Sequence, residues 1–154
     1  MNPDRTHLDA ASRHDASVAI DSLPLPSLEI DAQGIVTRAN QAALALHPPE
    51  QGRLIGQSAF AFLVGGEREL SRQSFAALLA SPHSAPSAVI RYIYDRGGQY
   101  SAYQLHRSVI RNSAGNPTGM CILGVNVAAA TETLQKIHRR NGVATLSCGL
   151  RAVA

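Results

Sequence analysis

Between Ala88 and Val127 the chain has room for three strands and little else. Ala88 to Tyr94, Tyr100 to Ile110 and Thr118 to Val127 are rich in β-branched and aromatic residues. Short turns separate them, at Asp95 to Gln99 and Asn112 to Asn116, and both contain glycine. Consecutive strands joined this tightly pair antiparallel, and one face of the resulting sheet needs cover from the rest of the chain.

The upstream sequence supplies that cover. Ser27 to Ile30 and Ile35 to Arg38 read as a hairpin turned by Asp31 to Gly34. Asn40 is suited to cap a helix over Gln41 to Leu46, and Pro48-Pro49 stops it. Arg53 to Val64 reads as short helical turns broken by Gly65-Gly66. Glu67 to Ala80 is the clearest helix. Leu70, Phe75, Ala77 and Leu78 share one broad face, with Glu69, Arg72 and Gln73 outside it.

The predicted organisation has four parts. Residues 1–22 form a polar N-terminal arm, 23–128 the folded domain, 129–141 an outgoing helix and 142–154 an unstructured tail. Hydrophobic content of 45% with 16% charge suits a globular core of this size. The net charge of +3 comes almost wholly from scattered arginines, so direct DNA or RNA binding is not expected. The N-terminus has no apolar signal core and no segment is long enough to span a membrane, which predicts a cytoplasmic protein. The two cysteines, Cys121 and Cys148, read as free thiols, and no short-spaced Cys/His set predicts a metal site.

Turn positions allow a register to be estimated. A first hairpin centred near Gly97-Gly98 sets Tyr92 opposite Tyr103 and Val89 opposite His106. A second centred near Ala114 sets Leu105 opposite Leu123 and His106 opposite Ile122. One face then carries Ile90, Tyr92, Tyr94, Tyr103, Leu105, Cys121, Leu123, Val125 and Val127. This more apolar face is expected to pack on the helices and line any pocket, with Tyr92, Tyr94, Tyr103, Leu105 and Leu123 as candidate lining residues. A slip of one residue would exchange the faces. Arg107 reads as a solvated strand-end arginine, with pairing to an anionic ligand as the alternative. His106 falls on the mixed face, and His47 is expected to be exposed.

The ordered set of motifs resembles the PAS domain family. Its members begin with a strand, an Asp-x-x-Gly turn, a second strand and an Asn opening a helix, here Ile30-Asp31-Ala32-Gln33-Gly34-Ile35 through Asn40. A Leu-Ile-Gly step follows, here Leu54-Ile55-Gly56. Arg91 to Tyr100 and Ile110 to Pro117 resemble the family's later Gly-containing turns. The resemblance implies an α+β PAS fold: a five-stranded antiparallel sheet, helices packed on one face, and a C-terminal helix. It also implies a sensory or regulatory module in intracellular signal transduction, binding a small ligand or a partner domain. A homodimer and a kinase or regulator partner would suit such a module, as in bacterial two-component systems.

One junction departs from the family. Its last strand usually closes near Gly-Val-x-Asp-Ile-Thr-Glu, whereas this chain has Gly124-Val125-Asn126-Val127-Ala128-Ala129. Asn126 replaces the Asp, and alanines replace the Thr and Glu, which weakens the expectation of conventional signal transfer. The outgoing helix carries Val127, Ala130, Leu134 and Ile137 at 3-4-3 spacing, a candidate dimer seam of about one and a half heptads. An amphipathic helix packed on its own domain is the other reading.

No cofactor is identified. The predicted long helix has no His, so haem ligation is not expected. The Gly-x-Asn-Cys-Arg-Phe-Leu motif of light-sensing flavin members is absent, so covalent flavin–Cys chemistry is not expected either. A ligand-free dimerisation domain and a small cone-like α+β enzyme are the alternatives. For the second, Asp95 and His106 are the candidate dyad by residue type, but the estimated register holds them apart, and no other catalytic motif is present. If the seam drives dimerisation, replacing Leu134 and Ile137 together by Asp should abolish the dimer in light scattering. An unchanged dimer would exclude the seam.

Overall fold

A computed structural model describes residues 20–129. It contains one five-stranded sheet in the order β2-β1-β5-β4-β3, with every neighbouring pair antiparallel. The strands are β1 (Ser27–Asp31), β2 (Val36–Ala39), β3 (Ser87–Tyr94), β4 (Tyr100–Arg111) and β5 (Pro117–Asn126). Helix α1 (Gln41–Leu46), 3-10 turns at Pro49–Gln51 and Ala59–Phe62, and helix α2 (Gly65–Ala80) lie between β2 and β3. The core forms between these helical segments and one sheet face. Ile30 and Met120 from the sheet meet Ala43, Phe60, Phe62 and Phe75. Among the described residues no helix is long and apolar enough to cross a membrane.

Asn40 organises the cover over the sheet. It is 1% exposed. Its side-chain oxygen accepts from the backbone N–H of Ala43, capping α1, and from the N–H of Ser27 at the start of β1. Its amide nitrogen donates to the carbonyls of Ile20, Leu23 and Leu25. One side chain therefore ties the incoming segment, β1 and α1 together. The first hairpin is equally local in origin. Asp31 Oδ1 accepts from the N–H groups of Gln33 and Ile35, and Gly34 takes a φ of 81° that suits glycine.

The register of the long strands differs from the sequence expectation in both hairpins. The β3–β4 loop is the three residues Arg96-Gly97-Gly98, closed by Asp95 N–H to Gln99 O and Gly98 N–H to Asp95 O. Gly98 sits at a φ of 75°, the left-handed position that ends such a loop. The turn is thus centred on Gly97, and Arg91 lies opposite Tyr103 while Val89 lies opposite Leu105. The β4–β5 turn is centred on Ala114 as expected, with Arg111 opposite Pro117. A bulge then absorbs Thr118 and sets Ile110 opposite Gly119 and Leu105 opposite Gly124. Each slip is one residue, so β3 and β5 both present the faces opposite to those expected, while β4 keeps its own.

Two further expectations change. Leu70 is 61% exposed, and α2 buries Ser71 and Phe75 instead, with Ser74 and Leu78 half-buried. The buried stripe of α2 is therefore partly polar, which hides it from hydrophobic periodicity. The seam residues Ala130, Leu134 and Ile137 lie outside the described residues, as do most of the arm, the outgoing helix and the tail. Residues 127–129 are helical, and Asn126 Oδ1 accepts from the N–H of Ala129. Asn caps a helix about as well as Asp, so the replacement at position 126 keeps the local geometry of the junction.

Replacing Asn40 by Ala should cost about 2–4 kcal/mol in denaturant unfolding, because a cap and several buried backbone groups lose their partner. Asn40→Asp should be at least as damaging at neutral pH, since a carboxylate would face three carbonyls. It should recover partly as the pH falls and the acid protonates. The register is tested separately. Tyr103→Ala should cost about 2–4 kcal/mol, and Tyr92→Ala about 1 kcal/mol or less. Equal costs would contradict the face assignment.

Candidate functional site

The inner face of the sheet encloses a cavity of about 130 Å³ beneath α1, the second 3-10 turn and α2. Its walls are mainly apolar, with Leu28, Ile122 and Leu105 on the sheet side and Leu54, Phe62 and Phe75 on the helical side. Such a space is comparable to cavities that admit a benzene-sized guest. Apolar walls with a few placed polar groups are the usual make-up of a small-molecule site.

The polar groups come from β3 and β4, four positions apart along the ladder, and each reaches a serine of α2. Alternation along β3 turns Val89, Arg91 and Ile93 inward, and along β4 it turns Tyr103, Leu105 and Arg107 inward. Arg91 Nε donates to Ser71 Oγ at 2.8 Å, and Arg107 Nη1 donates to Ser74 Oγ at 3.0 Å. Ser71 and Ser74 are three residues apart on α2 and so share its sheet-facing side. Arg107 is only 9% exposed, and its Nε is buried without a hydrogen-bond partner. Burial, and then the positive charge of Arg91, lower the Arg107 guanidinium from its ordinary pKa. It still carries its charge near neutral pH.

The expected lining residues divide. Tyr103 and Leu105 line the cavity, and Tyr94 borders it where β3 ends. Tyr92 and Leu123 do not line it. They lie on the opposite face of the sheet because of the two one-residue slips, and Tyr92 is 49% exposed there. Sequence reasoning missed Arg91, Met120 and Ile122 as lining residues for the same reason. It also took Arg107 for a solvated side chain, although the inward parity it assigned to Tyr103 and Leu105 extends to Arg107. His47 is a correction too. It is buried, borders the cavity, and its Nε2 lies 2.8 Å from the Gly52 carbonyl with its ring edge-on to Phe62. Pro48 and the 3-10 turn after it fold the chain back over this ring.

The other chemical candidates are accounted for by local contacts. Asp95 accepts from the N–H of Gly97 and from Ser101 Oγ within its own hairpin, while His106 is exposed on the outer face. The two do not meet. His83 is exposed beyond α2. Cys121 is half-buried and unbridged, and burial pushes its thiol up. Among the described residues no three His, Cys, Asp or Glu side chains converge to hold a metal.

Solved structures with the same architecture include several PAS domains. That of a Colwellia psychrerythraea protein superposes with a TM-score of 0.62 at 15% identity, covering 75% of this chain and 97% of the other. The PAS domain of the Cronobacter turicensis RpfR quorum-sensing receptor, in complex with BDSF, gives 0.55 at 18% identity, covering 70% and 98%. The phage VqmA–DPO complex gives 0.63 at 13% identity, covering 88% of this chain and 62% of the longer VqmA chain. No curated protein matches the chain in sequence. The family model described as PAS fold matches residues 20–132, which take in all five strands and the helices over the cavity. The chain belongs to the PAS fold family.

Proposed function

We propose that this domain is a sensory module that takes a small ligand into the cavity between the sheet and α2. The observation that carries the reading is the apolar cavity itself, with buried polar groups placed on its wall. A core built only for stability would fill such a space, since interiors pack to near-crystalline density. Keeping it open costs stability, and a guest would return that stability by binding the folded state alone. The RpfR and VqmA domains are structurally similar, and their complexes hold BDSF and DPO respectively. The capped helical turn at 127–129 follows directly from β5, which carries Met120 and Ile122 on the cavity wall. A ligand that shifts β5 would act on this junction, in a dimer or on a partner kinase or regulator.

A second reading rests on the outer sheet face. Ile90 and Tyr92 are 54% and 49% exposed on β3, and half-buried Leu123 and Val125 lie on the same sheet face of β5, with Gln104 and His106 of β4 between them. Exposed large apolar side chains on one sheet face suit an interaction surface. Contact with another protein through this face is compatible with ligand sensing inside.

Native mass spectrometry of the purified protein tests the first reading. A stoichiometric extra mass, released on denaturation, is the expected result. Gly124→Val should abolish it. A Cβ at position 124 meets only ordinary contacts with Tyr103, Leu105 and the Pro26 carbonyl, so the backbone accepts a side chain there, and the valine methyls beyond it narrow the cavity, with retained thermal unfolding as the check on folding. An extra mass retained in Gly124→Val would place the ligand elsewhere.

A further inference from the structure

We infer that the cavity selects a small apolar carboxylate, held by Arg107 and Arg91. This rests on the reading of the cavity as the ligand site and adds the chemistry of the head group. Three observations converge on it. First, two guanidinium groups border a mainly apolar cavity, and neither is paired with a carboxylate among the described residues. Their side chains donate instead to the neutral hydroxyls of Ser71 and Ser74. Second, Arg107 Nε is a buried donor with nothing to donate to. Buried donors are nearly always satisfied, so this exception on the cavity wall points to a missing acceptor. Third, the acid nearest in the cavity wall does not serve. Asp95, just past the end of β3, has both its oxygens engaged within its own hairpin, by the Gly97 N–H and by Ser101 Oγ.

A protein gains nothing in stability by turning two like charges toward one helix face and one apolar cavity without an acid. An anion that enters offsets that repulsion, and a carboxylate matches the planar fork of a guanidinium better than any single point charge. The apolar remainder of the wall demands an apolar body on the same molecule. The cavity volume of about 130 Å³ suits a body of roughly a phenyl ring or a six-carbon chain.

The test uses matched acids and neutral isosteres on the full chain freed of any co-purified ligand: benzoate against benzamide, phenylacetate against phenylacetamide, and hexanoate against hexanamide. Calorimetry and thermal unfolding should show at least one acid binding about ten- to a hundredfold more tightly than its amide. Arg107→Met should erase that preference. In the ligand-free state Arg107→Met should also raise Tm, because it removes a buried charge that lacks an acid partner. A purely structural arginine would instead lower it. Arg91→Met, at a less buried site, should weaken the preference and supplies the result if Arg107→Met does not fold.

Amides that bind as well as their acids would overturn the carboxylate assignment and leave the cavity as a ligand site. A preference that survives in both arginine variants would overturn it equally. No binding by any pair would overturn it too. If native mass spectrometry also found no bound molecule, the ligand-site reading would fall with it.

Discussion

The buried side chain of Asn40 is the constraint on which the rest depends. Its five hydrogen bonds join three pieces of chain that no secondary structure connects: the segment at 20–25, the start of β1 and the first turn of α1. The bonds from the Ser27 and Ala43 N–H groups are buried and satisfy donors that would otherwise lack a partner. With α1 fixed against β1, Pro48 and Pro49 turn the chain across the sheet. The loop through Leu54 and Phe60 then becomes the roof of the cavity. The far side is tied down separately. The Arg96 N–H donates to the Leu46 carbonyl, and Leu63 bridges to Ile93, so the β3–β4 turn grips the end of α1 and the edge of the sheet. A space can persist between roof and sheet because both rims are held.

That space sets the character of the inner face. A sheet face meant only for packing would carry aliphatic residues at every inward position. Here β3 and β4 place Arg91 and Arg107 there, and β5 places Gly124. The outer face in turn holds Ile90, Tyr92, Leu123 and Val125. Apolar content therefore does not distinguish core from surface in this sheet. The same exchange occurs on α2, which buries two serines against the arginines and exposes Leu70. Residues that work against simple burial cluster at one place, as expected where function competes with stability.

The short-range features were legible. The Asp31 to Gly34 turn, the Asn40 cap, the proline stop after α1, the long helix before β3 and the three closing strands all follow from residue types acting on near neighbours. So did the family, because its motifs are mostly turns and caps. The candidate site was legible only along β4, where Tyr103 and Leu105 were assigned to the correct side. Tyr92 and Leu123 were misplaced because side-chain direction depends on how a turn closes and on where a bulge falls. Gly97-Gly98 permits two closures that differ by one residue. The bulge at Thr118 leaves no clear mark in the local sequence. His47 was misread because its burial comes from Phe62 and Gly52, which follow later in the chain.

The sequence by itself determined the elements, their order and the antiparallel pairing within each hairpin, since these follow from local backbone preferences and from loops too short to allow anything else, while the β1–β5 pair joins strands far apart in the chain. The tertiary structure decided which face looks inward, that a cavity remains, and that Arg107 lies within it without an acid. These outcomes depend on register, and register is a sum over distant contacts. A shift of one residue changes no local preference, yet it moves every side chain on a strand to the other side of the sheet.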